Sequence, residues 1–349
     1  MSLLKSRRNR RRFTPRVEAL EDRSLLSATI TGVGQITTTA VVNHVLITDD
    51  GTAIKVFSDN GSVGGFLEGT PLTVKTQVKG SINLINYDLL GNADPNAANA
   101  VVINANLGVD SGTGNGQLRT AVVASLPVSL FDVPGKISNL GQDSNVHVTA
   151  HSTSGNTQDY LNCGSIGQGA NLSDVDHGGK GTDIYFAVLE GQEFNGATLK
   201  LKFTGGDGDN TASVIDAQDI GFNASANIDL RCQGDKDDHN LLVVGYQGRL
   251  LGGILDATAD AGRGTNTINF EFELHPGSSD GSLTSTAKTG PGAAKLTDTV
   301  HKDANDTPTV NETAKGVGPG FKQGFFTVGK SATSVAVAFS GFTTVTPIP

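Results

Sequence analysis

The chain of 349 residues has no tryptophan, one methionine, two cysteines and an aromatic content of only 5%. Charged residues make up 17%, below the ~25% usual for soluble domains. Few long helix formers and no helical periodicity exclude a helical bundle. No apolar stretch is long enough for a transmembrane helix. With so few aromatic side chains, little surface is left for stacking on sugar rings. What is abundant is glycine, 45 residues, nearly twice the usual ~7%. These glycines follow no three-residue period, so collagen is excluded. An apolar fraction of 37% is enough for a core, which argues against wholesale disorder.

The net charge of -9 divides unevenly. Residues 1–23 hold eight Lys and Arg against three Asp and Glu, a net +5, so the remainder carries -14. An acidic body repels nucleic acid and anionic lipid, so no nucleic-acid partner is expected for it. It suits calcium, a cell surface or plain solubility.

The basic stretch KSRRNRRR (5–12) is followed by FTPRVEALEDRSLLSA, without the ~7–15 residue apolar core of a secretory signal peptide. Pro15 fits the first turn of a short helix through Leu26, with Val17, Leu20 and Leu25 along one side. From the residues alone, a disordered basic tail and a targeting signal both remain open. The order of basic run, acidic pair and Leu-Leu-Ser resembles the LEPR-XLL leader of secreted and surface proteins of planctomycete bacteria. Its core stands here as Leu20-Glu21-Asp22-Arg23-Ser24-Leu25-Leu26, with Asp22 in place of proline. The resemblance implies export or surface display, and nothing about catalysis.

From Ala28 onward, apolar and polar residues alternate with period two. Ile184, Phe186 and Val188 share one strand face, as do Leu199, Leu201 and Phe203, then Ile228, Leu230 and Cys232, then Ile268, Phe270 and Phe272. Val41–Thr48, Thr52–Phe57, Leu72–Val78, Ile82–Leu89, Val101–Leu107 and Val146–Ala150 read as further strands. The turns GGKGTD (178–183), GGDGDN (205–210), GDKDDHN (234–240) and AGRGTN (261–266) recur before such strands, and TGPGAAK (289–295) is a decayed fifth. Their last Asp or Asn residues, Asp183, Asn210, Asn240 and Asn266, are spaced by 27, 30 and 26 residues. A near-constant period implies one repeated unit of two strands and two turns.

The predicted fold is therefore all-β and repeat-containing, with a parallel β-helix favoured over an antiparallel sandwich or meander. In a β-helix the four Asp and Asn side chains would stack ~4.8 Å apart as a polar ladder. The expected organisation is a leader over 1–28, a β-repeat domain over 29–275, a polar Gly/Pro/Ser/Thr-rich cap or linker over 276–320, and closing strands over 321–349.

The sharpest chemical expectation is calcium. GGKGTDIYF and GGDGDNTAS resemble the G-G-x-G-x-[DN]-x-U-x nonapeptide of calcium-binding β-rolls, which implies Asp183, Asp207, Asp209, Asp235, Asp237 and Asp238 as ligands. The alternative is that glycine supplies positive φ and Asp or Asn supplies side-chain turn hydrogen bonds, with no ion. Gly324–Ser331 fits the Walker A expression, but strand patterns surround it where a helix is needed. His147 and His151 are four residues apart on a strand, ~13 Å, too far to share a metal. Cys163 and Cys232 are free to pair on export, though Cys232 alternates with buried positions.

No catalytic constellation stands out. Glu190 and Glu193 read as solvated loop carboxylates. Arg231, Arg249 and Arg263 with Asp216 and Asp219 can be cast as the charged groups of a β-helical polysaccharide lyase or hydrolase, by analogy of fold only. The reading is a secreted or cell-surface structural or adhesive protein, not an enzyme, whose partners are envelope or extracellular matrix components. The alternative is a polysaccharide-active enzyme or binding module.

Overall fold

The computed structural model describes the strands from Ala28 onward and, with their side chains, His147, Leu161, residues 163–324 except 194, 236, 304 and 321, and residues 335–342. The leader (1–27), and with it the LEPR-XLL motif, lies outside the described residues.

Among those residues every regular element is a strand. From Asn145 the chain alternates between two sheets. Asn145–Ser152, Asn171–His177, Thr198–Gly205, Ser225–Cys232, Ile254–Asp260, Ser282–Thr289, Thr309–Gly316 and Val335–Ser340 lie consecutively in the first. Thr157–Cys163, Asp183–Glu193, Asn210–Ile220, His239–Gly248, Thr265–Leu274, Ala294–His301, Lys322–Val328 and Thr344–Pro347 form the second. Each strand pairs in parallel with those one coil away. This is a parallel β-solenoid, with about six coils in its best-defined part. Upstream, Gln35–Thr38, Leu72–Lys79 and Val102–Asp110 extend the first sheet. A separate five-stranded sheet contains antiparallel pairs among Val42–Asp49, Ala53–Ser58 and Gly61–Leu67.

Alternation drives this arrangement because a strand between two sheets exposes only every second residue to the interior. Leu199, Leu201 and Phe203 are fully buried, as are Ile228 and Leu230, and Ile268, Phe270 and Phe272 in the facing sheet. Tyr185 stacks on Phe203 across the interior at 5.6 Å between ring centroids. On Asp183–Glu193 the interior set is Tyr185, Ala187 and Leu189. The companion set Ile184, Phe186 and Val188 faces outward, with Val188 38% exposed. Both faces of this strand are apolar, so the alternation marks a strand there without telling inside from outside.

The segment 276–320, expected to be a cap or linker, is a correction. It holds three strands, Ser282–Thr289, Ala294–His301 and Thr309–Gly316, in unbroken register with the coils before them. Its interior combines the fully buried Leu283, Leu296, Val300 and Val310 with small or polar residues, among them Ser285, Ala287, Thr289, Ala294 and Ala314. One apolar residue or two per strand, held in register with the preceding coils, continue the core, which is why composition alone misleads. Cys163 and Cys232 are both free thiols in the interior.

Candidate functional site

The repeated turns stack into a column along one edge of the solenoid. Backbone register aligns Asp183 with Asn210, Asn210 with Asn240, Asn240 with Asn266, Asn266 with Ala294 and Ala294 with Lys322. The expected ladder is thus present, and the same register runs on for two further coils, through Ala294 to Lys322. Asp183 N donates to Asn210 Oδ1 at 3.3 Å, Asn210 Nδ2 to Asn240 Oδ1 at 3.2 Å, and Asn240 Nδ2 to Asn266 Oδ1 at 3.0 Å. Each amide also closes a turn: Asn210 Nδ2 donates to the Gly206 and Gly208 carbonyls at 2.9 Å, and Asn266 Nδ2 to Gly262 O at 3.1 Å. Lys322 repeats that four-residue reach, its Nζ donating to Gly318 O at 3.0 Å.

Glycine is required at two places in this column. A Cβ on Gly206 would collide with the Gly179 carbonyl of the coil above. Gly208 has φ 123° and would meet the Gly181 carbonyl in the same way. Gly181, Gly264, Gly292 and Gly320 repeat this positive φ in their own turns.

The six acids expected as calcium ligands follow this column. Asp183 lies inside it, with Oδ2 accepting from Gly206 N at 3.1 Å. Asp209 Oδ1 accepts from His239 N at 2.7 Å. Asp238 Oδ2 accepts from Gly208 N at 3.0 Å and from Asp235 N. Asp207, Asp235 and Asp237 are exposed. Three of the six carboxylates are therefore engaged by backbone N–H groups, as turn caps are. Among the described residues, no three His, Cys, Asp or Glu side chains converge to hold a metal. Beside the column is a shallow pocket of about 350 Å³, lined by His177, Gly178, Thr204, Gly205, Gly206 and Gln233.

Of the charged residues cast as enzymatic, Asp219 and Arg249 pair with each other, whereas Arg231 pairs outside that set. Asp216 is fully buried. Asp219 binds Arg249 through the backbone N at 2.8 Å and Nε at 3.0 Å. Partial burial opposes its ionisation, but those hydrogen bonds outweigh it and hold Asp219 below the usual carboxylate range. Arg231 pairs with Asp229 at 2.7 Å. Glu190 is exposed, whereas Glu193 is fully buried, so the reading of both as solvated is corrected for Glu193. His147 and His151 share the strand Asn145–Ser152. Gly324 to Val328 of the Walker-like match lie in a strand, and Gly329–Ser331 fall outside the described residues.

Sequence reading missed a set of acids inside the solenoid. Tyr185 OH donates to Asp174 Oδ2 at 3.0 Å. Burial still pushes the Asp174 carboxyl up to about 7, with the tyrosine bond pulling the other way. Burial, then the charges of Asp174 and Asp183, push Asp176 well above its ordinary value. Asp298 and Glu312 are both buried, one on each sheet, and the charge of Asp298 acts on Glu312. Burial raises Asp298 to about 7, and burial together with Asp298 raises Glu312 to about 9. The available signal was parity: each acid falls on the interior set of its strand.

Fold and column together define a parallel β-solenoid with an internal Asp/Asn ladder. No protein-family model, no curated protein and no solved structure matches the chain.

Proposed function

We propose that this chain is an exported or cell-surface β-solenoid with a structural or adhesive role, contacting components of the cell envelope or extracellular matrix. The observation that carries this reading is the placement of its acids. Asp216 and Glu193 point into the interior and Asp219, at the surface, is held by Arg249, so the carboxylates nearest to a polysaccharide-cleaving arrangement are buried or already paired. The outward column Lys200, Asn227, Asp256, Thr284 and Asn311 on the first sheet changes character from coil to coil, as a solvated scaffold face does. The basic leader and the -14 body support the same reading.

Protease shaving of intact cells of the native host, followed by mass spectrometry of the released peptides, tests display. Release of peptides from the solenoid is the expected result, and full protection together with recovery in the cytosol contradicts it. In parallel, the purified protein is incubated with a polysaccharide panel. Appearance of new reducing ends or unsaturated products contradicts a passive role.

A further inference from the structure

Just inside the second edge of the solenoid, between the strands Asp183–Glu193, Asn210–Ile220 and His239–Gly248, lies a group of oxygen atoms with few donors. Glu193, Asp216 and Gln218 are all fully buried. Four of their oxygens, Glu193 Oε1 and Oε2, Asp216 Oδ2 and Gln218 Oε1, have no hydrogen-bond partner. The remaining Asp216 oxygen, Oδ1, accepts from Gln218 N at 3.0 Å.

The backbone explains why these groups meet. Gln218 is in register with Gly191, and its side chain reaches along the axis and donates through Nε2 to the Gly164 carbonyl, one coil further on. Tyr246 lies in register with Asp216 on the next strand and is fully buried beside it. Burial first, then the neighbouring Asp216, push Glu193 well up, and burial raises Asp216 to about 7. Two carboxylates in an interior without a facing cation demand either protons or a bound positive charge.

We infer that Glu193, Asp216 and Gln218, beside Tyr246, form a buried site for one hard divalent cation, calcium, that ties successive coils together. The donor set is all oxygen, two of its members are anionic, and the amide carbonyl of Gln218 is a typical neutral ligand of such ions. The nearby Cys163 does not redirect the choice toward a soft metal, because burial and the two acids keep its thiol protonated. The exposed Gly191 and the half-buried Ser165 leave only one layer of chain between the site and solvent. This site is distinct from the turn acids, which lie at the opposite end of the same strands.

The full chain is stripped with EGTA, and its melting is followed with and without millimolar CaCl2. The expected result is a rise in Tm of at least about 5 °C and retention of about one calcium per chain by elemental analysis. E193Q and D216N, close isosteres that remove the buried charge, abolish both effects, while a D207N/D209N/D235N/D237N variant keeps them. Terbium gives a readout independent of stability. The chain has no tryptophan, so sensitised emission arises from tyrosine, and Y246F should lose most of it. A wild-type Tm indifferent to calcium overturns the proposal and leaves protons as the neutralising charge. A calcium response that survives E193Q and D216N but vanishes in the turn variant overturns it as well.

Discussion

The side-chain amide of Asn210 donates to the side-chain carbonyl of Asn240 across one coil, with 3.2 Å between Nδ2 and Oδ1, and both residues are buried. Asparagine suits this position because its amide has donors and an acceptor at once, so each member can give to the next coil, accept from the previous one and still bind turn carbonyls, those of its own turn for Asn210 and those of the following turn for Asn240. Aspartate suits only the first coil, where Asp183 accepts from Gly206 N and donates nothing upward from its side chain. The ladder is thus directional, and the identity of each member follows from its neighbours.

Replacing Asn240 by leucine keeps the volume and removes every partner. Asn210 Nδ2 loses one acceptor, and the Ala261 and Arg263 carbonyls lose the Asn240 amide. A loss of about 3 kcal/mol is expected from urea unfolding. Asn240→Asp should cost as much at pH 7 and less at pH 4, where the new carboxyl is neutral.

Ala294 stands in the ladder between Asn266 and Lys322. Ala294→Asn supplies the missing acceptor for Asn266 and a donor for its own turn, so it should stabilise the fold by about 1 kcal/mol. Thermal melting of the single variant measures it.

The glycines of the turns divide by what surrounds them. Gly208→Ala combines φ 123° with a collision against the Gly181 carbonyl and should cost more than about 2 kcal/mol. Gly196 and Gly277 have positive φ, yet open space lies around them, so their alanine variants should cost about 1 kcal/mol. Chemical denaturation of the three variants ranks them.

Burial raises the folded-state values of Asp174, Asp298 and Glu312 above the ~4 of unfolded carboxyls, to about 7, 7 and 9. The native state therefore holds protons that the unfolded chain releases. The stability they supply is complete below about pH 4 and is lost as pH rises through 7 to 9. Tm should fall steadily between pH 6 and 9.5, and E312Q should flatten that fall and melt higher than wild type at pH 9.

Two adjacent residues test the in-and-out assignment on Asp183–Glu193. Leu189→Ala, in the interior, should cost about 3 kcal/mol, and Val188→Thr, facing outward, less than about 0.5 kcal/mol. Equal effects would mean that the strand is buried on both sides.

The sequence made the repeat legible because turn chemistry is local. Gly206, Gly208 and Asn210 sit within one hexapeptide, and its recurrence every 26–30 residues was enough to predict the column and the parallel stacking. The later coils were not legible, since Ala294 and Lys322 replace asparagine and small or polar residues such as Ser285, Thr289 and Ala314 share the interior of 282–316 with only a few large apolar ones, Leu283, Leu296, Val300 and Val310. Register carried in from preceding coils holds that region, and register is not written in composition. The interior acids were hidden for a different reason. Glu193 and Asp216 look like surface carboxylates until the strand's parity is fixed, and parity on Asp183–Glu193 is ambiguous because Ile184, Phe186 and Val188 are as apolar as Tyr185, Ala187 and Leu189.

The most direct test of the ladder is NMR of the full chain with ¹⁵N-labelled asparagine. The structure predicts side-chain amide protons of Asn210, Asn240 and Asn266 that exchange slowly with solvent and show cross-peaks from each residue to the next along the column. Amides that exchange as fast as those of free asparagine, with no contact between residues 26 and 30 positions apart, would contradict the stacked solenoid.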